Sequence, residues 1–356
     1  MARINIWNNR LGEQEAQAAY HAIIERCVSD GKIVSEMEDK VKQLLNVPYV
    51  IATPNGSSAL LLALMAIGIA PGDEVIVPDV TFIATANAPK VLGATVVVAD
   101  TEEAVPVIEE ESVMQLITER TKAVIPVHVN GHIACTKSLK AKLHQKGIFV
   151  IDDACQAFMS GNKDDYAGNN ADIACYSMGI SKTVASGQGG FVTTHDEALF
   201  RFMKKIKTQG LKNLCERSAY RTVGFNFKMS DILAAVGLVQ LGKIEDKVSH
   251  LWEINQLYRK ELENVNEIKF IPRKKNELPW MTYILCKHRN QIKRKLEERD
   301  IEVREIGDCL HRATYLEARG NYIHSGQFED HILVLPGGPD QTFENIIEVC
   351  KIIKEI

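Results

Sequence analysis

"ACYSMGISKTVASGQGGFVTT", residues 174–194, carries one cation, Lys182, set among small and apolar residues, with a glycine cluster five positions later. Two short β-rich runs flank it: IACYS (173–177) before and GFVTT (190–194) after. Such a lysine is either a surface residue on a loop or an amine kept in a pocket for covalent chemistry. The segments on either side decide between the two.

Working outward, five further β-rich runs precede this pair: YVIA (49–52), EVIVP (74–78), TVVVA (95–99), AVIPVH (123–128) and IFVID (148–152). Segments with helical spacing lie between or just after many of the seven, among them Leu139 to Gln145 and Leu199 to Lys207. Strands alternating with helices predict crossover units, hence a mostly parallel sheet with helices on both faces. Runs this apolar are expected to be buried on both sides. The pattern predicts a large α/β domain over residues 1–245. After it the style changes. WMTYILC (280–286) and IEVREI (301–306) read as strands, and RNQIKRKLEERD (289–300) and Asn345 to Ile356 as helices. Residues 246–356 are therefore expected to form a smaller α+β domain.

Bulk composition narrows the function. The 356 residues are 46% hydrophobic and 25% charged, as in ordinary globular proteins. A formal net charge of −4 argues against a nucleic-acid partner. The basic cluster at 287–295 is followed on the same helix by Glu297, Glu298 and Asp300, so it reads as a solvated face. Eight scattered cysteines without a C-x-x-C pair read as reduced thiols. The N-terminus lacks the apolar core of a secretion signal, and the longest apolar run, Ala59 to Ala70, falls short of the about 20 residues a membrane span needs. A cytoplasmic protein with no membrane partner is expected.

Three stretches can carry chemistry. TPNGSSALLLALMAIGIAPGDE (53–74) predicts a helix capped by Ser57 or Ser58 and stopped before Pro71-Gly72. Entered through Asn55-Gly56-Ser57-Ser58, it offers free N–H groups, hydroxyls and a positive dipole end, which suits a phosphate. VIDDACQA (150–157) puts two carboxylates at the end of a buried strand, where α/β folds place ligands. They could bind a metal, do acid–base work, hold a protonated ring nitrogen, or cap the next helix. The third is the opening stretch. Its GISKT is no P-loop, because Ser181 and Tyr176 stand where that motif needs glycine. The pair His128 and His132 follows a strand and spans a turn at Gly131, which argues against a zinc site, and no metal is expected. No Gly-x-Ser-x-Gly elbow is present. Together an anion cradle, an acid and a lysine fit pyridoxal 5'-phosphate, which needs all three.

The sequence also resembles the DegT–StrS type of sugar aminotransferases, fold-type I pyridoxal phosphate enzymes, over nearly the whole chain. The matching segments are NGSSAL (55–60), GDEVIVPDVTFIATANA (72–88), GATVVVAD (93–100), ITERTKAVIPVHVNG (117–131), VIDDACQA (150–157), DIACYSMGISKTVASGQGGFVTT (172–194) and VGFNFKMSDILAAVGLVQL (223–241). The resemblance implies a seven-stranded, mostly parallel sheet. It further implies that Lys182 joins the cofactor covalently and shuttles protons, and that Asp153 pairs with the pyridine nitrogen. Gln156 would lie against the ring near its 3-hydroxyl, and Phe82 would stack on the opposite face. Gly56, Ser57 and Ser177 would cradle the phosphate, and Asn226 would reach it from the partner subunit of a homodimer.

Four positions depart from the family pattern. Asp152 replaces a usual glutamate, Gln188 replaces the glutamate of Gly-Glu-Gly-Gly, and Lys228 replaces an arginine. Around EIGDCLHRATYL (305–316) only His311 matches the substrate-side loop. The resemblance implies transfer of an amine from L-glutamate to a keto sugar, most simply one carried on a nucleotide. Gln188 and the divergent loop leave open a smaller or phosphorylated keto compound. A sugar dehydratase would carry histidine in place of Lys182, and a non-catalytic cofactor-binding regulator would show an eroded site.

Overall fold

In the computed structural model of the protein, residues 3–134, 136–163, 165–211, 220–316, 318 and 320–355 are described. Seven strands form the main sheet: β1 (Tyr49–Thr53), β2 (Glu74–Pro78), β3 (Thr95–Ala99), β4 (Thr121–Val124), β5 (Phe149–Asp153), β8 (Ile173–Ser177) and β9 (Gly190–Thr194). A two-residue hairpin, β6 (Gly161–Asn162) with β7 (Asp165–Tyr166), lies outside it. The order across the sheet is β1-β9-β8-β5-β4-β2-β3. All strands run parallel except β9, which is antiparallel to both neighbours.

All seven apolar runs read from the sequence are strands. β4 begins earlier than its run and ends before Pro126, which has no N–H for the ladder, although the chain stays beside β5: Pro126 O accepts from Asp153 N and His128 N donates to Asp153 O. The sheet is covered on both faces. One face packs against the helices Gly56–Ala66, Ala84–Val91 and Glu197–Lys207, through Leu60, Leu64, Ala86, Met203 and Ile206. The other packs against Lys32–Leu45, Asp231–Gly242 and Lys137–His144, through Met37, Val41, Leu241 and Leu139. The helix Gly56–Ala66 is apolar around nearly its whole circumference and is buried accordingly.

A second sheet of four antiparallel strands follows: β10 (Ile268–Phe270), β11 (Thr282–Cys286), β12 (Arg304–Glu305) and β13 (Ile332–Leu335), in the order β10-β11-β13-β12. Its core with the helices Ile244–Glu261, Arg289–Glu297 and Phe343–Lys354 is built from Tyr258, Ile284, Leu296, Leu333 and Val349. The N-terminal segment joins this unit. Ile4 bridges to Ile301 and Trp7 to Gly337, and Asn8 exchanges backbone bonds with Gly337 and Asp340. Among the described residues no helix is long and apolar enough to cross a membrane.

Candidate active site

Six parallel strands all present their C-terminal ends at one edge of the sheet, and the chemistry-bearing residues collect there. Asp153 closes β5, Ser177 closes β8 and Asp79 follows β2. β9 runs the other way, so its first residue, Gly190, arrives at the same edge and pairs with both Thr53 and Ser177. A Cβ on Gly190 would lie 2.6 Å from Asn55 C and 2.7 Å from Tyr176 O, so a glycine is needed for so close an approach.

The helix that starts at this edge is capped by Asn55, not by Ser57 or Ser58. The Asn55 side chain accepts from Ser58 N at 2.8 Å, and the extended backbone of Asn55 (φ −169°) suits a cap. The two serines fall inside the first turn, with Ser57 exposed at the helix end. The first N–H groups of the helix have no partner within it. Gly56 lies against β5 and β8: a Cβ there would meet Cys155 Sγ at 2.8 Å and Ser177 Cβ at 3.0 Å. The floor of the cradle is therefore kept free of side chain.

Adjacent residues of a strand point to opposite faces, which separates the two carboxylates. Asp153 is 6% exposed, and its Oδ2 accepts from the Thr85 hydroxyl at 2.7 Å while Oδ1 accepts from Cys155 N at 3.1 Å. Thr85 is in turn 2.9 Å from the Thr81 hydroxyl. Asp152 faces away and lies fully buried, its Oδ2 3.0 Å from His128 Nε2. His128 Nδ1 accepts from Ala134 N, so the ring proton sits on Nε2, toward Asp152. The contact is close but off-line, and neither Asp152 oxygen has an aligned donor. His132 pairs with Glu277 at 3.0 Å, so the two histidines serve separate carboxylates.

Lys182 lies in the turn between β8 and β9, its N bonded to Gly179 O at 2.9 Å. Burial lowers the pKa of its amine, opposed by the neighbouring Cys155 and Asp153. Its Nζ stands 4.2 Å from the centre of the Trp280 ring. Trp280, Phe82 and Gln156 line one cavity of about 590 Å³, with Arg304, Arg312 and Tyr315 further along its wall. Gln156 Oε1 accepts from Asn130 N at 2.9 Å, which leaves its amide N–H groups to donate elsewhere. Phe82 is 69% exposed. Asn130 was not singled out in the sequence, yet its Oδ1 also accepts from Met281 N at 2.7 Å and so ties the two units together beside the cavity.

Seven of the residues named from the sequence thus meet at this edge: Gly56, Ser57, Phe82, Asp153, Gln156, Ser177 and Lys182. Two lie apart. Asn226 is exposed on a segment bridged to Thr208, its side-chain oxygen 3.4 Å from Lys228 N. His311 does not line the cavity, although its neighbour Arg312 does; its N and Nδ1 both donate to Asp79 at 2.7 Å and its ring stacks on Tyr322. Ser325 adds a third donor to Asp79 at 2.6 Å. Cys309 lies within 4.8 Å of this pair, but burial and the nearby Asp79 carboxylate push its thiol pKa far up. Asp79 thus accepts from three donors, and the cluster is a hydrogen-bonded group joining the end of β2 to the segments carrying His311 and Ser325. Gln188 is exposed and its carbonyl accepts from Ser186.

Comparison with known proteins bears on this edge. Residues 9–354 match the model of the DegT/DnrJ/EryC1/StrS aminotransferase family. GDP-perosamine synthase of Escherichia coli O157:H7 is 31% identical over 342 residues, covering 92% of this chain and 91% of that one. The solved structure of a DegT DnrJ EryC1 StrS aminotransferase from Brucella abortus is 26% identical and superposes with a TM-score of 0.89 over 96% of this chain and 95% of the other. The aminotransferase TlmJ from Streptoalloteichus hindustanus shares the fold at a TM-score of 0.95, over 99% of this chain and 98% of the other, at 22% identity. With the family match spanning almost the full length of the chain, this protein is an aminotransferase and belongs to the DegT/DnrJ/EryC1/StrS family.

Proposed function

We propose that this aminotransferase uses pyridoxal 5'-phosphate, takes its amine from L-glutamate and passes it to the keto group of a nucleotide-linked sugar. One observation carries the reading: the half-buried amine of Lys182 rests over the ring of Trp280, which lines one cavity with Phe82 and Gln156 at the sheet edge where Asp153 closes β5. The residues present fit the cofactor, since a side chain on Gly56 would fill the cradle between the helix start and Ser177. When bound, pyridoxal phosphate supplies an electron-poor ring that takes up the electron pair left as a proton leaves the carbon next to the amine.

The remaining roles belong to the chain. The amides of Gly56 and Ser57, with the Ser57 and Ser177 hydroxyls, hold the phosphate at the positive end of a helix. A carboxylate has about four acceptor positions. Asp153 uses two on Thr85 and Cys155, which leaves room to accept from the N–H of a bound ring, where a carboxylate would hold the proton. Gln156 would donate to the ring's 3-hydroxyl, and Phe82 would pack against the ring. Lys182 holds the cofactor covalently and later moves protons at Nζ; its lowered pKa brings the free amine closer to neutrality at working pH. His311, its Nδ1 proton fixed on Asp79, offers Nε2 as an acceptor to the substrate.

The E. coli relative's name supports a nucleotide-linked keto sugar, and Arg304 and Arg312 on the cavity wall would complement phosphate. Asn226 would complete the phosphate site of a partner in a homodimer. Exposed Tyr20, Ile23, Ile24, Val223 and Phe225 supply apolar surface that a partner would cover. The six described cysteines are all free thiols, which supports a cytoplasmic protein; Cys135 and Cys215 lie outside the described residues. The test is direct. Borohydride should fix the cofactor on Lys182, and the loaded enzyme should consume L-glutamate in preference to L-aspartate and aminate a nucleoside-diphosphate keto sugar. An adduct on another lysine would overturn the Lys182 assignment, and preference for a free keto phosphate would overturn the substrate.

A further inference from the structure

Three successive carbonyls around Lys182 are each gripped by a side chain from a different part of the chain. Ser181 O accepts from Trp280 Nε1 at 2.9 Å, Lys182 O from Asn9 Nδ2 at 2.7 Å, and Thr183 O from Lys247 Nζ at 3.4 Å. The donors come from the segment before β11, the N-terminal segment and the helix Ile244–Glu261. They also support one another. Lys247 Nζ donates to Asn9 Oδ1 at 2.7 Å and to Gln240 Oε1, and the Trp7 ring lies 5.9 Å from the Trp280 ring. Trp280 acts twice, because its ring face also carries the Lys182 ammonium at 4.2 Å.

We infer that Asn9, Lys247 and Trp280 are positioning residues that clamp the Lys182 turn, and that the Trp280 ring is the seat of the Lys182 ammonium whenever that amine is free. The inference rests on reading Lys182 as the reacting amine, but the geometry stands without it. Thr183 to Ser186 are anchored by burial, but Ser181 and Lys182 are only half-buried, and an amine that alternates between a covalent bond and proton transfer needs its backbone fixed to within a fraction of an ångström. Three charge-bearing or dipolar donors on consecutive carbonyls supply that rigidity. A ring face attracts an ammonium through its quadrupole and lacks any basic atom to compete for the proton. The ionisable groups acting on Lys182 are Asp153 and Cys155, both at the end of β5, and neither is a clamp residue.

The experiment uses the full-length protein freed of cofactor by dialysis against hydroxylamine, so neither readout depends on turnover. The first readout is hydrogen–deuterium exchange of the amides of Lys182 and Ser186, which bond to Gly179 O and Met178 O. Exchange should quicken at least tenfold in Asn9→Ala, in Lys247→Met and in Trp280→Phe, which keeps a ring but loses the N–H. Unchanged exchange in all three would overturn the clamp. The second is the pH profile of Lys182 labelling by an amine-selective reagent, read by peptide mass spectrometry. Trp280→Leu keeps the site dry but removes the ring face, so half-labelling should move to lower pH by a three- to tenfold change in proton affinity, with Trp280→Phe in between. A profile that stays put in Trp280→Leu would overturn the seat. Should Trp280→Leu fail to fold, Trp280→Phe against wild type decides by the same criterion. Borohydride fixation on Lys182 tests the underlying reading separately.

Discussion

Replacing Gly56 by alanine adds one carbon at the narrowest point of the proposed phosphate cradle. The new Cβ would lie 2.8 Å from Cys155 Sγ and 3.0 Å from Ser177 Cβ, each well inside ordinary contact distance. The backbone angle there is helical, so alanine brings no conformational penalty of its own. All of the strain is steric. Relief requires the helix start to move away from the ends of β5 and β8, which separates Ser57 from Ser177. Overpacking of this kind costs about 1–3 kcal/mol, and each 1.4 kcal/mol is about tenfold in affinity. We therefore expect Gly56→Ala to weaken pyridoxal phosphate binding by about 5- to 150-fold as the helix start shifts, and to lower the unfolding temperature of the cofactor-free protein, which carries the same clash. Titration of cofactor-free protein, followed by tryptophan quenching, measures this. Cys155→Ala removes the nearer of the two obstructing atoms, so the double variant should recover at least threefold of the loss. Binding by Gly56→Ala within twofold of wild type, or a double variant no tighter than Gly56→Ala alone, would refute the geometry.

Asp153→Asn should keep the cofactor but lower turnover by several powers of ten, because an amide cannot hold the pyridinium proton; Asp152→Asn, on the opposite face, should leave the cofactor spectrum unchanged, and the reverse ranking in steady-state assays would place the acid on the wrong residue. Inactive Lys182→Ala and Asn226→Asp chains, each first shown by sedimentation to dimerise, should regain activity when mixed and allowed to exchange, since one site of the heterodimer then combines Lys182 with Asn226; verified heterodimers that stay dead would remove Asn226 from its cross-subunit role. Burial raises the Glu15 carboxyl, but Lys243, Gln240 and the Gly12 amide outweigh it and hold the pKa at about 2, against 4.5 when unfolded. Its stabilisation is thus complete above pH 4.5 and lost as pH falls toward 2, up to about 3 kcal/mol. Urea unfolding of Glu15→Gln should show a stability gap from wild type that closes over that window; a gap independent of pH would refute the assignment.

Much of the fold was legible because burial on both faces writes strands as continuous apolar runs, and the sheet has seven of them. β10 and β13 were missed. IKF is three residues long, and ILVL follows a helix with no turn signal between. The N-cap was placed two or three residues late, since Asn, Ser and Ser all cap well and only the backbone angle of Asn55 distinguishes them. Lys182, Asp153 and the cradle stood out because each combines an unusual residue type with a strand or helix end. Thr85, Asp79, Asn9, Lys247 and Trp280 carry no such local mark. Their importance comes from partners 64 to 246 positions away, a separation that spacing rules cannot bridge.

The N-terminal segment has a consequence for how the protein is made. Asn8 and Asn9 are made well before their partners: Asn8 bonds to Asp340, 332 positions later, and Asn9 reaches the carbonyl of Lys182, 173 positions later. At roughly 5–20 residues per second, synthesis separates Asn8 from Asp340 by about 17–66 seconds and Asn9 from Lys182 by about 9–35 seconds. Through the longer interval the main sheet can fold while the turn holding Lys182 waits for Trp280 and Lys247 to arrive. Nascent chains should therefore acquire their sheet well before they can hold cofactor, and chains stalled before residue 280 should be folded in part but colourless.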